Sequence, residues 1–138
     1  MSLERVNPAE LAPPKGFSHA VTGRGTVIFL AGQTALDGAG KIAGEGVTAQ
    51  FEQALGNLLA ALRAAGGEPG MLASLTVYAT DLADYRAHAA EIGQVWRRLV
   101  GRDYPAMAAI GISRLWDEEA LVELQGHAIL PERSAGAG

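Results

Sequence analysis

The chain has 138 residues, 49% of them apolar and 19% charged, enough hydrophobic material for one core and too much for a disordered body. Its net charge of −4 argues against a general attraction to phosphate backbones, and the absence of cysteine excludes disulfides, thiolate catalysis, iron–sulfur clusters and cysteine zinc sites. The N-terminal residues show no basic segment followed by an apolar one, and no stretch approaches the roughly 20 apolar residues of a membrane span, so a cytoplasmic protein without membrane or nucleic-acid partners is expected.

Residues 1–16 contain Pro8, Pro13 and Pro14 and read as an ordered arm without a regular element. The runs FSHAV from Phe17 and TVIFLAGQ from Thr26, separated by Gly23-Arg24-Gly25, predict a hairpin. Its second strand is apolar over Val27–Leu30 without interruption, the pattern of a strand buried on both faces. Asp37-Gly38-Ala39-Gly40 then predicts a tight turn. From Val47 the period changes. Phe51, Leu55, Leu58, Leu59 and Leu62 follow helical spacing up to Gly66-Gly67, an amphipathic helix of about five turns.

Ser74–Thr80 (SLTVYAT) returns to strand chemistry. Asp81 or Asp84 can cap a second helix, whose apolar positions Tyr85, Ile92, Val95, Trp96 and Leu99 precede a stop at Gly101. Two apolar runs, Ala106–Ile112 and Leu121–Ala128, predict the last strands, with Trp116-Asp117-Glu118-Glu119 turning between them. This order predicts an α+β fold with both helices on one face of the sheet, in a single domain over 17–131 followed by a flexible tail, 132–138. The uncovered sheet face then needs a partner, and self-association is the simplest one.

Glu123 is a lone carboxylate in the last strand. Alternation sends Glu123, Gln125 and His127 to one face and Leu124, Gly126 and Ala128 to the other. That face is either simply solvated or meets a neighbouring subunit, where partial burial would raise the glutamate pKa toward general acid/base use. His127 lies about 13 Å along the strand from Glu123, too far for an ordinary shared ion, and His19 and His88 fall on other elements; hydrogen bonding suits all three better than metal ligation. Trp116 can stack on a flat ligand at a cleft mouth or pack on a neighbouring subunit. Arg114 is expected to pair with an acid and hold the last strands, or else to reach the cleft. Trp96 falls on the helical apolar stripe and reads as core. The Gly-rich turns at 23–25 and 38–40 lack the lysine and hydroxyl of a phosphate loop, and no G-x-S-x-G elbow occurs.

In order and spacing, KGFSHAV, IFLAGQ with LDGAGKI, QFEQALGNLLAALRAAGG, LASLTVYATDLADY and the ending YPAM…SRL…ALVELQ resemble the RidA family, also called YjgF/YER057c/UK114, over about residues 13–129. The resemblance implies a chorismate-mutase-like fold, a homotrimer with small-molecule clefts between subunits, and hydrolysis of reactive enamines and imines such as 2-aminoacrylate without cofactor or metal. It also implies an arginine after the Pro-Ala of the penultimate strand, to pair with the substrate carboxylate, and a water-activating glutamate on the last strand.

Glu123 matches that glutamate, but the arginine position is Met107, the usual tyrosine is Phe17, the serine before Gly-Gln is Ala31, and an asparagine of the second helix is Ala89. A thioether cannot make a bidentate carboxylate contact, and a carboxylate held beside Glu123 without a cation is electrostatically unfavourable. The resemblance thus implies a divergent deaminase-like hydrolase in which Glu123 orients water and Phe17, Ala31, Met107, Trp116 and Arg114 line a more apolar pocket. The alternative is a non-catalytic trimer that binds a small ligand or a regulatory partner. RNA cleavage fits the acidic balance least.

Overall fold

The computed structural model describes residues 3–132; the tail expected at 132–138 lies outside them but for Glu132. The elements are β1 (Glu4–Val6), β2 (Ala20–Thr22), β3 (Gly25–Gln33), α1 (Val47–Ala64), a 3-10 turn (Pro69–Met71), β4 (Leu72–Ala79), α2 (Leu82–Ala87), α3 (Ala89–Leu99), β5 (Ala106–Gly111) and β6 (Val122–Pro131). Four strands make one mixed sheet in the order β3-β6-β4-β5, with β4 and β5 parallel and the other pairs antiparallel. Among the described residues no helix is long and apolar enough to cross a membrane.

α1 forms where the sequence predicts it and lies across β3 and β6, with α3 beside it. Phe51, Leu55, Leu58, Leu59 and Leu62 are fully buried, and they meet Leu75 and Val77 of β4 and Val122, Leu124 and Ala128 of β6 in a single core. Strand alternation sets the two faces apart. In β6, Val122, Leu124, Gly126 and Ala128 are buried under the helices, while Glu123, Gln125 and His127 stand on the face that no element covers.

Three expectations need correction. β3 is not buried on both faces: Ile28 and Leu30 enter the core, but Val27 is 50% and Phe29 78% exposed, because they project from the uncovered side. The segment after Phe17 forms no hairpin with β3. β2 pairs instead with β1, inside the arm where no strand was expected, and β3 pairs with β6. Long-range contacts hold β1 there. Leu3 is buried, the Arg5 Nη2 donates to the Gly70 carbonyl at 2.9 Å, and the Asn7 side chain accepts the His19 N–H at 2.7 Å. Finally, the second helix is two. Asp81 caps α2 by accepting the Asp84 N–H, and the chain breaks at His88, whose ring Nδ1 engages the Asp84 carbonyl at 2.9 Å.

Two glycines separate close packing from mere helix weakening. A Cβ on Gly126 would sit 2.4 Å from the Ser74 carbonyl oxygen, whereas on Gly56, inside α1, it would meet nothing within 4 Å. Gly126→Ala should therefore destabilise the protein by about 1–3 kcal/mol, and Gly56→Ala should stabilise it by roughly 0.5–1 kcal/mol. Urea unfolding at fixed protein concentration measures both; similar effects at the two positions would contradict this packing.

Candidate functional site

The uncovered sheet face brings Glu123 level with Tyr78 of β4 and, across β4, with Ile110 of β5. At this end of β6 the Glu123 carboxyl lies against the backbone of Gly32: a Cβ there would be 2.9 Å from Glu123 Cδ and Oε2. The residue after Ala31 must therefore be small for this rotamer to exist. Burial first, and the charge of Asp117 second, raise the Glu123 pKa above its ordinary value. Asp117 is itself anchored, since the buried Thr34 hydroxyl donates to its Oδ2 at 2.7 Å. Glu123 makes no side-chain hydrogen bond among the described residues. A half-buried carboxyl with free lone pairs and a raised pKa can accept and return a proton.

Met107 lies elsewhere. It pairs in register with Leu75, which also pairs with Gly126, and all three face the helices, whereas Tyr78 and Glu123 belong to the opposite face. Within one chain, then, Met107 and Glu123 project from opposite sides of the same sheet and cannot line one pocket. Met107 and Ala89 border a hollow of about 450 Å³ between α3, Lys15-Gly16 and β5. Phe17 follows directly, half-buried, with its ring edge-on to His19 at 5.1 Å. The next residue, Ser18, ties this segment to β5: its N–H donates to the Pro105 carbonyl at 2.9 Å and its hydroxyl to that of Tyr104 at 2.7 Å.

Arg114 and Trp116 fall together on a third location, a polar hollow of about 620 Å³ bounded also by Thr80, Ser113 and Leu121. Although it is the larger of the two hollows, neither Met107 nor Glu123 lines it. It opens just beyond the Glu123 end of β6, because Thr80 and Leu121 are hydrogen-bonded to each other two steps past the Tyr78–Glu123 row. Trp116 is 95% exposed. Arg114 makes no ion pair among the described residues, so the strand-holding pair expected of it is not formed there. The histidines make hydrogen bonds: His19 to the Ala12 carbonyl, His88 to that of Asp84, and His127 Nδ1 with the Ser74 hydroxyl at 2.9 Å. Trp96 is core, as its spacing predicts.

Asp117, Gly32 and Thr34 were not singled out from sequence as partners of Glu123. Their signal was weak, since they lie on two other segments and only the folded register joins them.

The family model described as Endoribonuclease L-PSP matches residues 7–130. The chain belongs to the RidA family. A RutC family protein of Pyrococcus horikoshii is 32% identical over 102 residues, 73% of this chain and 77% of that one, and the RutC family protein UK114 of Drosophila melanogaster is 31% identical over 89% of this chain and 84% of its own. Among solved structures, a conserved Rid family protein of unknown function, YyfB of Yersinia pestis, is 33% identical, with a TM-score of 0.84 over 94% of this chain and all of that one. The YjgF gene product of E. coli is 25% identical, with a TM-score of 0.67 over 89% and 92% of the two chains. Both the RidA relationship and the α+β fold expected from sequence are thereby shown.

The raised Glu123 pKa has a thermodynamic signature. A folded-state pKa above the unfolded value means that the fold favours the protonated form, so this contribution is fully present below the unfolded value of about 4.3 and is lost as pH rises through the folded one. Glu123→Gln, which never ionises, should therefore melt higher than wild type at neutral pH, with the gap closing toward pH 4. Thermal scans at equal protein concentration test this; a gap that widened on acidification would reverse the sign assigned to Glu123.

Proposed function

We propose that this RidA-family chain is a cofactor-free hydrolase that converts a small imine or enamine to a carbonyl compound and ammonia in a cleft between subunits of a homotrimer. The observation that carries this reading is Glu123: a carboxyl with no side-chain hydrogen bond among the described residues, with its pKa raised, on the sheet face left open. Water attacks the carbon of C=NH as Glu123 takes one of its protons. That proton passes to nitrogen to give a carbinolamine; Glu123 then carries the hydroxyl proton to the amine nitrogen as C=O forms and the C–N bond breaks, and ammonia leaves. The raised pKa suits both directions of transfer, because the group neither holds its proton too weakly to protonate an amine-like nitrogen nor too tightly to accept one from water.

The opposite orientation of Met107 and Glu123 favours a cleft between subunits. Met107, Ala89 and Phe17 of one subunit would face Glu123 and Ala31 of the next, with Arg114 and Trp116 at the mouth beyond the end of β6. The exposed face that would close the assembly carries Val27, Phe29 and Ile110, at 50%, 78% and 42% exposure, apolar side chains whose burial would favour association. Closed cyclic assembly covers it without leaving an open edge.

Two measurements test the reading. Glu123→Gln should reduce ammonia release from a freshly generated imine by about 10²–10⁴-fold, the usual contribution of a positioned acid/base group; unchanged turnover would remove Glu123 from the chemistry. Phe29→Glu places a charge on the open face and should convert a trimer to monomers in sedimentation velocity while leaving the far-ultraviolet circular dichroism intact. A wild-type chain that sediments as a monomer would exclude the cleft.

A further inference from the structure

The hollow beside Met107 has a charge pattern that its position alone does not require. At about 450 Å³ it is within the range that holds small molecules. Its apolar wall is aromatic: Tyr85, Trp96 and Tyr104 line it together with the Met107 thioether, and Trp96 and Tyr104 lie nearly parallel, at 17° with ring centroids 6.4 Å apart. Its charged lining groups are Lys15 and Arg97, and no aspartate or glutamate lines it, in a chain whose net charge is −4.

Neither Lys15 nor Arg97 forms an ion pair among the described residues, while the very next residue, Arg98, pairs with Glu52. Arg97 is also seated by its own helix. Gly93 lies one turn earlier on the same side of α3, and a Cβ there would come within 3.3 Å of Arg97 Nη1. A glycine inside a helix costs about 0.5–1 kcal/mol relative to alanine, and at this position its bare backbone lets the guanidinium lie back against α3. The Tyr85 hydroxyl, held protonated by burial that pushes its pKa up to about 12, makes no hydrogen bond among the described residues and is a donor to spare.

We propose that this hollow is a subsite for a monoanion with a flat apolar body, in which Arg97 and Lys15 take the carboxylate and Trp96, Tyr104 and Met107 take the body. The carboxylate is thus read from α3 and the arm instead of from β5, and the neutral Met107 becomes floor for an apolar group. Resting on the hydrolase reading, the subsite selects 2-imino acids with aromatic or long apolar side chains over three-carbon ones: the reacting carbon, bonded to the carboxylate, stays at the cation-lined rim while the side chain fills the hollow.

Phenylpyruvate has the carboxylate, oxo carbon and ring that hydrolysis of such an imine would yield, and it can be titrated calorimetrically into the intact protein. It should bind at least about tenfold more tightly than pyruvate, which lacks the ring, and than phenylacetone, which lacks the carboxylate. Arg97→Gln and Lys15→Gln should each weaken it by about five- to tenfold, within what a charge-assisted hydrogen bond supplies. Gly93→Glu, which sets an acid beside the Arg97 guanidinium, should weaken it similarly without removing either cation. All three positions are at the surface or on its edge, and unchanged melting temperatures would show that the variants fold.

No binding, pyruvate binding as tightly as phenylpyruvate, or affinity untouched by Arg97→Gln would each overturn the subsite. Glu123→Gln separates the two proposals. Phenylpyruvate affinity kept in that variant, with hydrolysis absent from wild type, would sink the hydrolase and leave the subsite standing; hydrolysis lost in Glu123→Gln but indifferent to Arg97 and Lys15 would do the reverse.

Discussion

The structure depends on one constraint: a four-stranded sheet whose helices all lie on one side. β6 is its pivot, antiparallel to both neighbours, and its strict alternation hands Val122, Leu124, Gly126 and Ala128 to the core and Glu123, Gln125 and His127 to the other face. The close pairing of β4 with β6 requires a position without a side chain, which Gly126 supplies against the Ser74 carbonyl and Leu75. The same closeness leaves no element to spare for the opposite face. What makes the core complete is therefore also what leaves Val27, Phe29 and Ile110 in solvent.

That division fixes where chemistry can occur. Residues that the family resemblance would gather into one pocket are distributed over two faces and a loop: Met107 on the helix side of the sheet with Ala89 at the start of α3, Glu123 on the open side, Arg114 and Trp116 beyond the strand end. The sheet backbone lies between the first two groups. A reaction needing both would therefore use two copies of the chain, and Val27, Phe29 and Ile110 on the open face would favour the association proposed for it. The proposed site and the proposed assembly would both follow from the same one-sided covering.

The parts of this arrangement that depend on periodicity were legible in the sequence. Five large apolar residues at three- and four-residue steps leave α1 no other comfortable conformation, and the polar–apolar alternation after Leu121 assigns Glu123 to a face without any structural knowledge. Periodicity was silent about pairing. FSHAV and TVIFLAGQ looked like a hairpin because they are adjacent, yet β2 takes β1 as its partner through Leu3 and through Arg5, whose hydrogen bonds reach carbonyls 65 and 99 residues away. An uninterrupted run such as Val27–Leu30 carries no period at all, so it could not reveal that half of it is exposed. At the site, Glu123 was visible as a carboxylate among apolar neighbours, but Gly32 and Asp117, which shape its rotamer and its proton affinity, join it only through the register of β3 with β6 and the turn before β6.

Arg97 shows why such residues are passed over. On a helix ending in consecutive arginines, each looks like a solvated charge favoured near the C-terminus by the helix dipole. Arg98 fits that description, with Glu52 to neutralise it; Arg97 does not, because its guanidinium lies along a glycine at the edge of an aromatic hollow whose described lining includes no acid. The difference matters electrostatically. A cation placed next to Glu123 would hold its carboxyl ionised and lower the very pKa that burial and Asp117 raise. Arg97 and Lys15 stand on α3 and the arm, on the far side of the sheet from Glu123 of the same chain, so within one chain they leave that carboxyl's proton affinity to burial and Asp117. Loss of an arginine from β5 is then compatible with anion binding, and the thioether in its place widens the apolar floor on which the ligand can lie.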